Sequence, residues 1–193
     1  ERPREEADIP AEERQLAERT RAWRLATAQA TADGLLEDGD TVRVGNITIE
    51  AIFTPGHTLD SISFYLREEG VLFTGDTVLG WGTVAIPPPP QGDMGLYLRS
   101  LERLKGYPAM LLCPGHGPPV RDVGRKLQEL IDHRHQREEQ VLAAVAGGRG
   151  TVKAMLAVLY PELDSRLVGM ARGHILAHLA KLEGVGRVAR RGE

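Results

Sequence analysis

Three short motifs each place a side chain that can bind a metal directly after an apolar, strand-like run. They are His57 in "TPGHT", Asp76 in "LFTGD" and His116 in "CPGHG". Imidazole and carboxylate groups are ligands that zinc takes in proteins. In each motif a glycine precedes the ligand and lets the backbone approach closely. If the three runs are strands that end at one edge of a sheet, these side chains form a metal site.

Each motif also has a simpler interpretation, because Pro, Gly and Asp occur in turns for conformational reasons alone. One such motif by itself favours an ordinary turn, since short patterns match by chance. All three in this order, each after an apolar run, favour the metal site.

The other candidates for chemistry are weaker. His133 and His135 are two residues apart, so on a helix they point in nearly opposite directions and cannot chelate one ion together. His174 and His178 are four apart, but they lie in an apolar stripe, which indicates core histidines. Cys113 lies in an apolar run without a basic neighbour in sequence, which indicates a buried strand residue and not a nucleophile.

The segment from Asp40 to about Val120 must position the three motifs. The Gly45-Asn46 turn predicts a hairpin between "TVRV" and "ITIEAIF", and residues 67–70 predict the turn of a second hairpin. Apolar residues at helical spacing predict a helix from Met94 that ends at Gly106. "AMLLC" predicts one more strand. This body is therefore α/β or α+β.

The segments on either side are predicted to be helical. Residues 1–33 are rich in charge and alanine and predict a solvated helix. From Val123 onward we predict a long helix that stops at Gly147, a helix capped by Thr151, and a helix that begins at Asp164 and ends at Gly184. "GRVARR" is a candidate for one short strand. Three helices and a strand predict a small winged-helix domain over 123–193, after a body over 1–122.

Composition places the chain among ordinary globular proteins. Of the 193 residues 41% are hydrophobic and 26% are charged, and the net charge is −3, with the basic excess in residues 121–193. No apolar stretch reaches the length that a bilayer requires, and no membrane association is expected. The single cysteine fits a reducing compartment, so we predict a cytoplasmic protein.

"TPGHT", "FTGD" and "PGHG" together resemble the later motifs of the metallo-β-lactamase superfamily. The helical tail, with "HRHQREEQVL" and "AHLAKLEGVGRV", resembles the winged helix of one subgroup, the β-lactamase-like protein 2 type. The resemblance runs from about Gly39 to the C-terminus. It implies the C-terminal half of an αββα sandwich, followed by the winged helix.

The resemblance also implies chemistry. The complete site is expected to hold two zinc ions, with His57 on the first, His116 on the second and Asp76 bridging both as the catalytic carboxylate. A zinc-activated hydroxide would then attack an ester, thioester or phosphodiester. The implied substrates are small-molecule or carrier-bound acyl groups, or RNA. The three motifs identify no substrate-binding residues.

One part of the pattern is missing. The family signature H-x-H-x-D-H is absent, since the six histidines are at 57, 116, 133, 135, 174 and 178. We expect either a fragment of a longer enzyme or an inactive truncated relative. Glu1 in place of methionine favours the fragment, whose site an N-terminal half or a partner chain would complete. A homodimer, with the helical tail as its interface, is a separate expectation.

The rival class of function is nucleic-acid binding without catalysis. The winged helix could dock on a duplex through Arg166, Arg172 and Lys181. The charge density is low for a surface that binds phosphates, so we rank this function below a hydrolase.

Overall fold

A five-stranded mixed sheet is the centre of the fold. The computed structural model describes residues 34–190, so the helix predicted for 1–33 lies outside the described residues. The strands are β1 (Thr41–Val44), β2 (Ile47–Phe53), β3 (Ile62–Leu66), β4 (Val71–Gly75) and β5 (Leu111–Pro114). They are arranged in the order of the chain, antiparallel except for the parallel pair β4 and β5. Both predicted hairpins and the last predicted strand are confirmed.

The two faces of the sheet differ because side chains alternate along each strand. Tyr65, Leu72 and Leu112 are neighbours across three strands and are buried in the core. On the opposite face Phe73 is paired with Phe64 and is 40% exposed. The buried face is therefore the one on which the helices pack.

Two helices form the other side of this core. Helix α1 (Met94–Lys105) begins after Asp93, whose carboxylate accepts a hydrogen bond from the Leu96 amide, and ends at Gly106. Helix α2 (Val123–Ala146) begins after Asp122 and ends at Gly147. The predictions for both helices are confirmed. The buried residues that join the helices to the sheet include Ile52, Leu72, Tyr97, Leu101, Leu112, Leu127 and Ile131.

A second, smaller cluster lies farther along the chain. Helix α3 (Val152–Leu159) is capped by Thr151 as predicted, and a 3-10 turn (Ser165–Leu167) leads from Asp164 into helix α4 (Val168–Gly184). Ala144, Met155 and Ile175 join α2, α3 and α4. Because α2 contributes to both clusters, the domain boundary at 122/123 stays a prediction.

The end of the described chain differs from the prediction. Residues 187–190 form no strand, so the strand predicted for "GRVARR" is wrong over these residues. A strand needs a hydrogen-bonding neighbour, and none of the five described strands pairs with residues 187–190. None of the described helices is long and apolar enough to span a membrane.

Candidate metal centre

The three predicted ligands follow three strands that run in the same direction. β2 and β4 are both antiparallel to β3, and β5 is parallel to β4, so all three end at the same edge of the sheet. Buried hydroxyls join two of the loops beyond that edge: Thr54 Oγ1 lies 2.9 Å from Ser63 Oγ and 3.2 Å from Thr77 Oγ1. The Gly115 amide donates to the Gly75 carbonyl at 2.7 Å and holds the third loop beside the second.

Asp76 and His116 are brought together at this edge. His116 Nε2 lies 3.4 Å from Asp76 Oδ1, and the side chains are 71% and 44% exposed. The approach depends on Gly115, because a Cβ atom at that position would lie 2.8 Å from Asp76 Oδ1 and 3.0 Å from the Gly75 carbonyl carbon. The pair is therefore an open nitrogen and oxygen donor set that a divalent cation could reach.

His57 has a defined ring orientation in the first loop. Its Nδ1 lies 2.7 Å from the carbonyl oxygen of Ala85, which can only accept, so Nδ1 carries the proton. The lone pair of Nε2 is then available, which is how metal-binding histidines are usually oriented. Gly56, at φ +149°, lets the loop pass against the backbone of Tyr97, where a Cβ atom would overlap.

The three residues fit a metal ion as a partial ligand set. Their donor types suit zinc, and two of the three are close together. Within residues 34–190, however, no group of three or more His, Cys, Asp or Glu side chains could hold a metal ion. Catalytic zinc takes three protein ligands. The assignment of His57, Asp76 and His116 as metal ligands, and of Asp76 as catalytic, stays a prediction.

The histidines of α4 are in a different environment. His178 is completely buried, with Nδ1 4.0 Å from Glu138 Oε2, and Glu138 is also paired with Lys181. Burial, with a further contribution from Arg134, lowers the pKa of His178 to about 3 and that of His174 to about 4. Both are neutral near pH 7. The prediction that His178 is a core histidine is confirmed.

Sequence reasoning missed one buried cation, Arg134. It is 1% exposed, its Nη2 donates to the Val84 carbonyl at 2.6 Å, and its Cζ lies 5.4 Å from the centre of the Tyr97 ring. Val84 precedes Ala85, whose carbonyl holds His57. The sequence does contain a signal for the burial of Arg134. This residue falls at helical spacing among the buried positions Leu127, Leu130, Ile131, Glu138 and Val141.

Comparisons with known proteins agree with the fold and with the family that the three motifs indicate. A family model described as metallo-beta-lactamase superfamily matches residues 4–116, and one described as beta-lactamase associated winged helix domain matches residues 151–193. The chain belongs to the metallo-beta-lactamase superfamily. The fold class and the winged-helix subgroup that the motifs indicated are thereby confirmed.

Individual relatives extend the comparison. The chain is 38% identical over 140 residues to lactamase-like protein adaB of Aspergillus niger, covering 69% of this chain and 43% of that protein. It is 40% identical over 108 residues to atrochrysone carboxyl ACP thioesterase of Aspergillus fumigatus, covering 56% of this chain and 33% of that protein. The chain thus spans less than half the length of these curated relatives.

A solved structure supports the fold over most of the chain. A metallo-beta-lactamase family protein from Thermus thermophilus superimposes with a TM-score of 0.69 at 29% identity, covering 90% of this chain and 62% of that one. This superfamily protein therefore shares the fold of both the sheet and the helices that follow it.

Proposed function

We propose that this chain carries part of the metal site of a zinc-dependent hydrolase, with His57, Asp76 and His116 as ligands. The observation that carries the proposal is the approach of His116 Nε2 to Asp76 Oδ1, 3.4 Å apart at the edge where two parallel strands end. Two zinc ions are expected in the complete site. Membership of the metallo-beta-lactamase superfamily, whose members are hydrolases, supports the same reaction class.

Each residue has a separate task in this proposal. Asp76 supplies two oxygens that could bind both metal positions and offset part of their charge. The Ala85 carbonyl fixes the ring of His57 with its Nε2 lone pair available. The exposure of Asp76 and His116 leaves room for a substrate to approach. Zinc, when bound, would lower the pKa of water toward neutrality and polarise the bond to be cleaved.

For the substrate we propose a thioester of a carrier-bound acyl group. The support is the name of one relative, atrochrysone carboxyl ACP thioesterase, which is 40% identical over 108 residues. A phosphodiester substrate such as RNA is the alternative. Homodimer formation and a cytoplasmic location stay predictions.

The nucleic-acid alternative is weakened by ion pairs in the helical part. Arg166 Nη2 lies 2.6 Å from Asp164 Oδ2, and Lys181 is paired with the buried Glu138. Two of the three basic residues predicted to contact a duplex therefore have intramolecular partners. Arg172 alone is a small basis for binding phosphates, whose affinity grows with the number of cations.

Zinc titration of the 193-residue chain tests the proposed ligands. We expect weak binding that dialysis reverses, because three donors do not complete two metal positions. Asp76→Asn and His116→Gln should each weaken it further, whereas His135→Gln, an exposed histidine on α2, should not. Two zinc ions retained after dialysis would contradict the expected weak binding, and binding that only His135→Gln removes would contradict the ligand assignment.

Hydrolysis is measured separately. It requires a form of the protein in which an N-terminal half or a partner chain completes the metal site, so that zinc is retained after dialysis. An acyl-pantetheine thioester and a short RNA are offered as substrates. Thioester hydrolysis that Asp76→Asn abolishes supports the proposal. RNA cleavage without thioester hydrolysis would replace the proposed substrate, and no hydrolysis of either would favour the inactive relative.

A further inference from the structure

A cavity of about 230 Å³ lies among α2, α4 and the segment that leads to α4. Five of its lining residues are cationic or polar: Thr83, His133, Arg134, Arg137 and His174. The other five are mostly apolar: Tyr160, Leu163, Leu167, Met170 and Ala171. None of the lining residues is acidic.

Polar atoms without partners concentrate around this cavity. Among the described residues, the buried side-chain atoms without a hydrogen-bond partner belong to Tyr97, His133, Arg134, His174 and His178. His133, Arg134 and His174 also line the cavity. Buried polar groups in native proteins almost always have a partner. Of these atoms Arg134 Nε can only donate, so the Arg134 guanidinium keeps an unused donor beside the cavity.

The charge of the lining favours an anion. Arg134 is 1% exposed and its Nε lacks a partner, while the carboxylate of the nearby Glu138 is paired with Lys181. Arg137 adds a second guanidinium, which stacks on Tyr160 with 4.6 Å from Cζ to the ring centre. A guanidinium presents a planar fork of donors that matches a carboxylate.

We propose that this cavity binds a small organic acid, with its carboxylate at the guanidinium groups of Arg134 and Arg137 and its apolar body against Leu163, Leu167 and Met170. The volume exceeds that of a single water, about 30 Å³, several times over. The apolar lining residues favour an acid with a hydrocarbon body over inorganic phosphate, because phosphate would leave them without an apolar partner. The proposal does not depend on the hydrolase function, since none of the three predicted metal ligands lines the cavity.

Calorimetric titration of the 193-residue chain near pH 7 tests the site with three probes. Hexanoate has both the charge and the apolar body, 1-hexanol has only the apolar body, and inorganic phosphate has only the charge. We expect hexanoate to bind once per chain and more tightly than either of the others. Hexanol binding as tightly as hexanoate, phosphate binding more tightly, or no binding of hexanoate would each overturn the proposal.

Substitutions then test whether hexanoate binds at this cavity. Arg137→Gln should weaken hexanoate binding about tenfold, because it removes a charge-assisted hydrogen bond, and Arg137→Lys should restore part of it. Arg172→Gln, on the same helical part but outside the lining, is the matched control and should not change binding. Equal effects of Arg137→Gln and Arg172→Gln would overturn the site. If Arg137→Gln does not fold, the comparison of hexanoate, hexanol and phosphate still tests whether the protein binds an organic acid.

Discussion

The loops at the sheet edge and the junction of α1, α2 and α4 both contain polar and charged groups, but in opposite environments. At the edge, Asp76 and His116 are 44% and 71% exposed and face each other. At the junction, His178 and Arg134 are 0% and 1% exposed. The type of a side chain therefore does not by itself decide its role. An accessible lone pair suits a metal ligand, whereas burial holds a histidine neutral within the core.

Replacement of Asp76 should have the largest effect and tests the edge directly. In a form of the protein that retains zinc and hydrolyses substrate, Asp76→Asn keeps the shape of the side chain but removes its charge. Zinc content and turnover should fall together, with turnover lower on the order of a thousandfold. Elemental analysis and steady-state kinetics measure both. Full zinc content and full activity in this variant would show that the metal site does not include Asp76.

Replacement of Gly115 tests whether close backbone approach matters at the same edge. The new Cβ atom of Gly115→Ala would lie 2.8 Å from Asp76 Oδ1, so the carboxylate must move from its present position beside His116. We expect about tenfold weaker zinc binding, comparable to losing a residue that orients a ligand. Gly124→Ala is the control, because nothing lies within 4 Å of its new Cβ atom. Equal zinc affinity in the two variants would argue against the site.

The stability of the protein should depend on pH through the two histidines of α4. Burial lowers the pKa of His174 to about 4 and that of His178 to about 3, from about 6.5 in the unfolded chain. The unfolded state therefore binds protons first as the pH falls. The stability that these neutral histidines contribute is fully present above about pH 6.5 and is lost as the pH falls toward the folded pKa values.

The expected loss is on the order of 1 kcal/mol per pH unit for each histidine. Thermal melts between about pH 7 and pH 5 measure it. The double variant His174→Gln/His178→Gln should show a smaller slope than the parent chain. An unchanged slope would mean that these histidines do not titrate differently in the two states.

Replacement of His178 alone should have the smallest effect. His178→Gln alters a completely buried side chain, so we expect a loss of about 1–2 kcal/mol and a melting temperature lower by a few degrees. Zinc affinity should not change, in contrast to Asp76→Asn. Loss of metal from His178→Gln with no change in melting temperature would reverse the roles assigned to the two regions.

Much of the local structure could be predicted because its causes are local. The Gly45-Asn46 turn separates β1 from β2, and Asp122 and Thr151 cap the helices that follow them. Turn and cap preferences depend on a few consecutive residues, so the pattern indicates them without knowledge of the fold. The strand at "GRVARR" was predicted wrongly over the described residues, because pairing depends on a neighbour that the local pattern does not reveal.

The strand-like runs, their order and the glycine before each candidate ligand are evident in the amino-acid sequence. The 3.4 Å approach of His116 to Asp76 is not, and neither is the contact of His57 with the Ala85 carbonyl. The helical spacing of Arg134 indicates its burial, but its contacts with Tyr97 and the Val84 carbonyl are seen only in the folded chain. The physical reason is that these contacts join residues far apart in the chain. They form only when strand pairing and the packing of α2 on α1 bring those residues together.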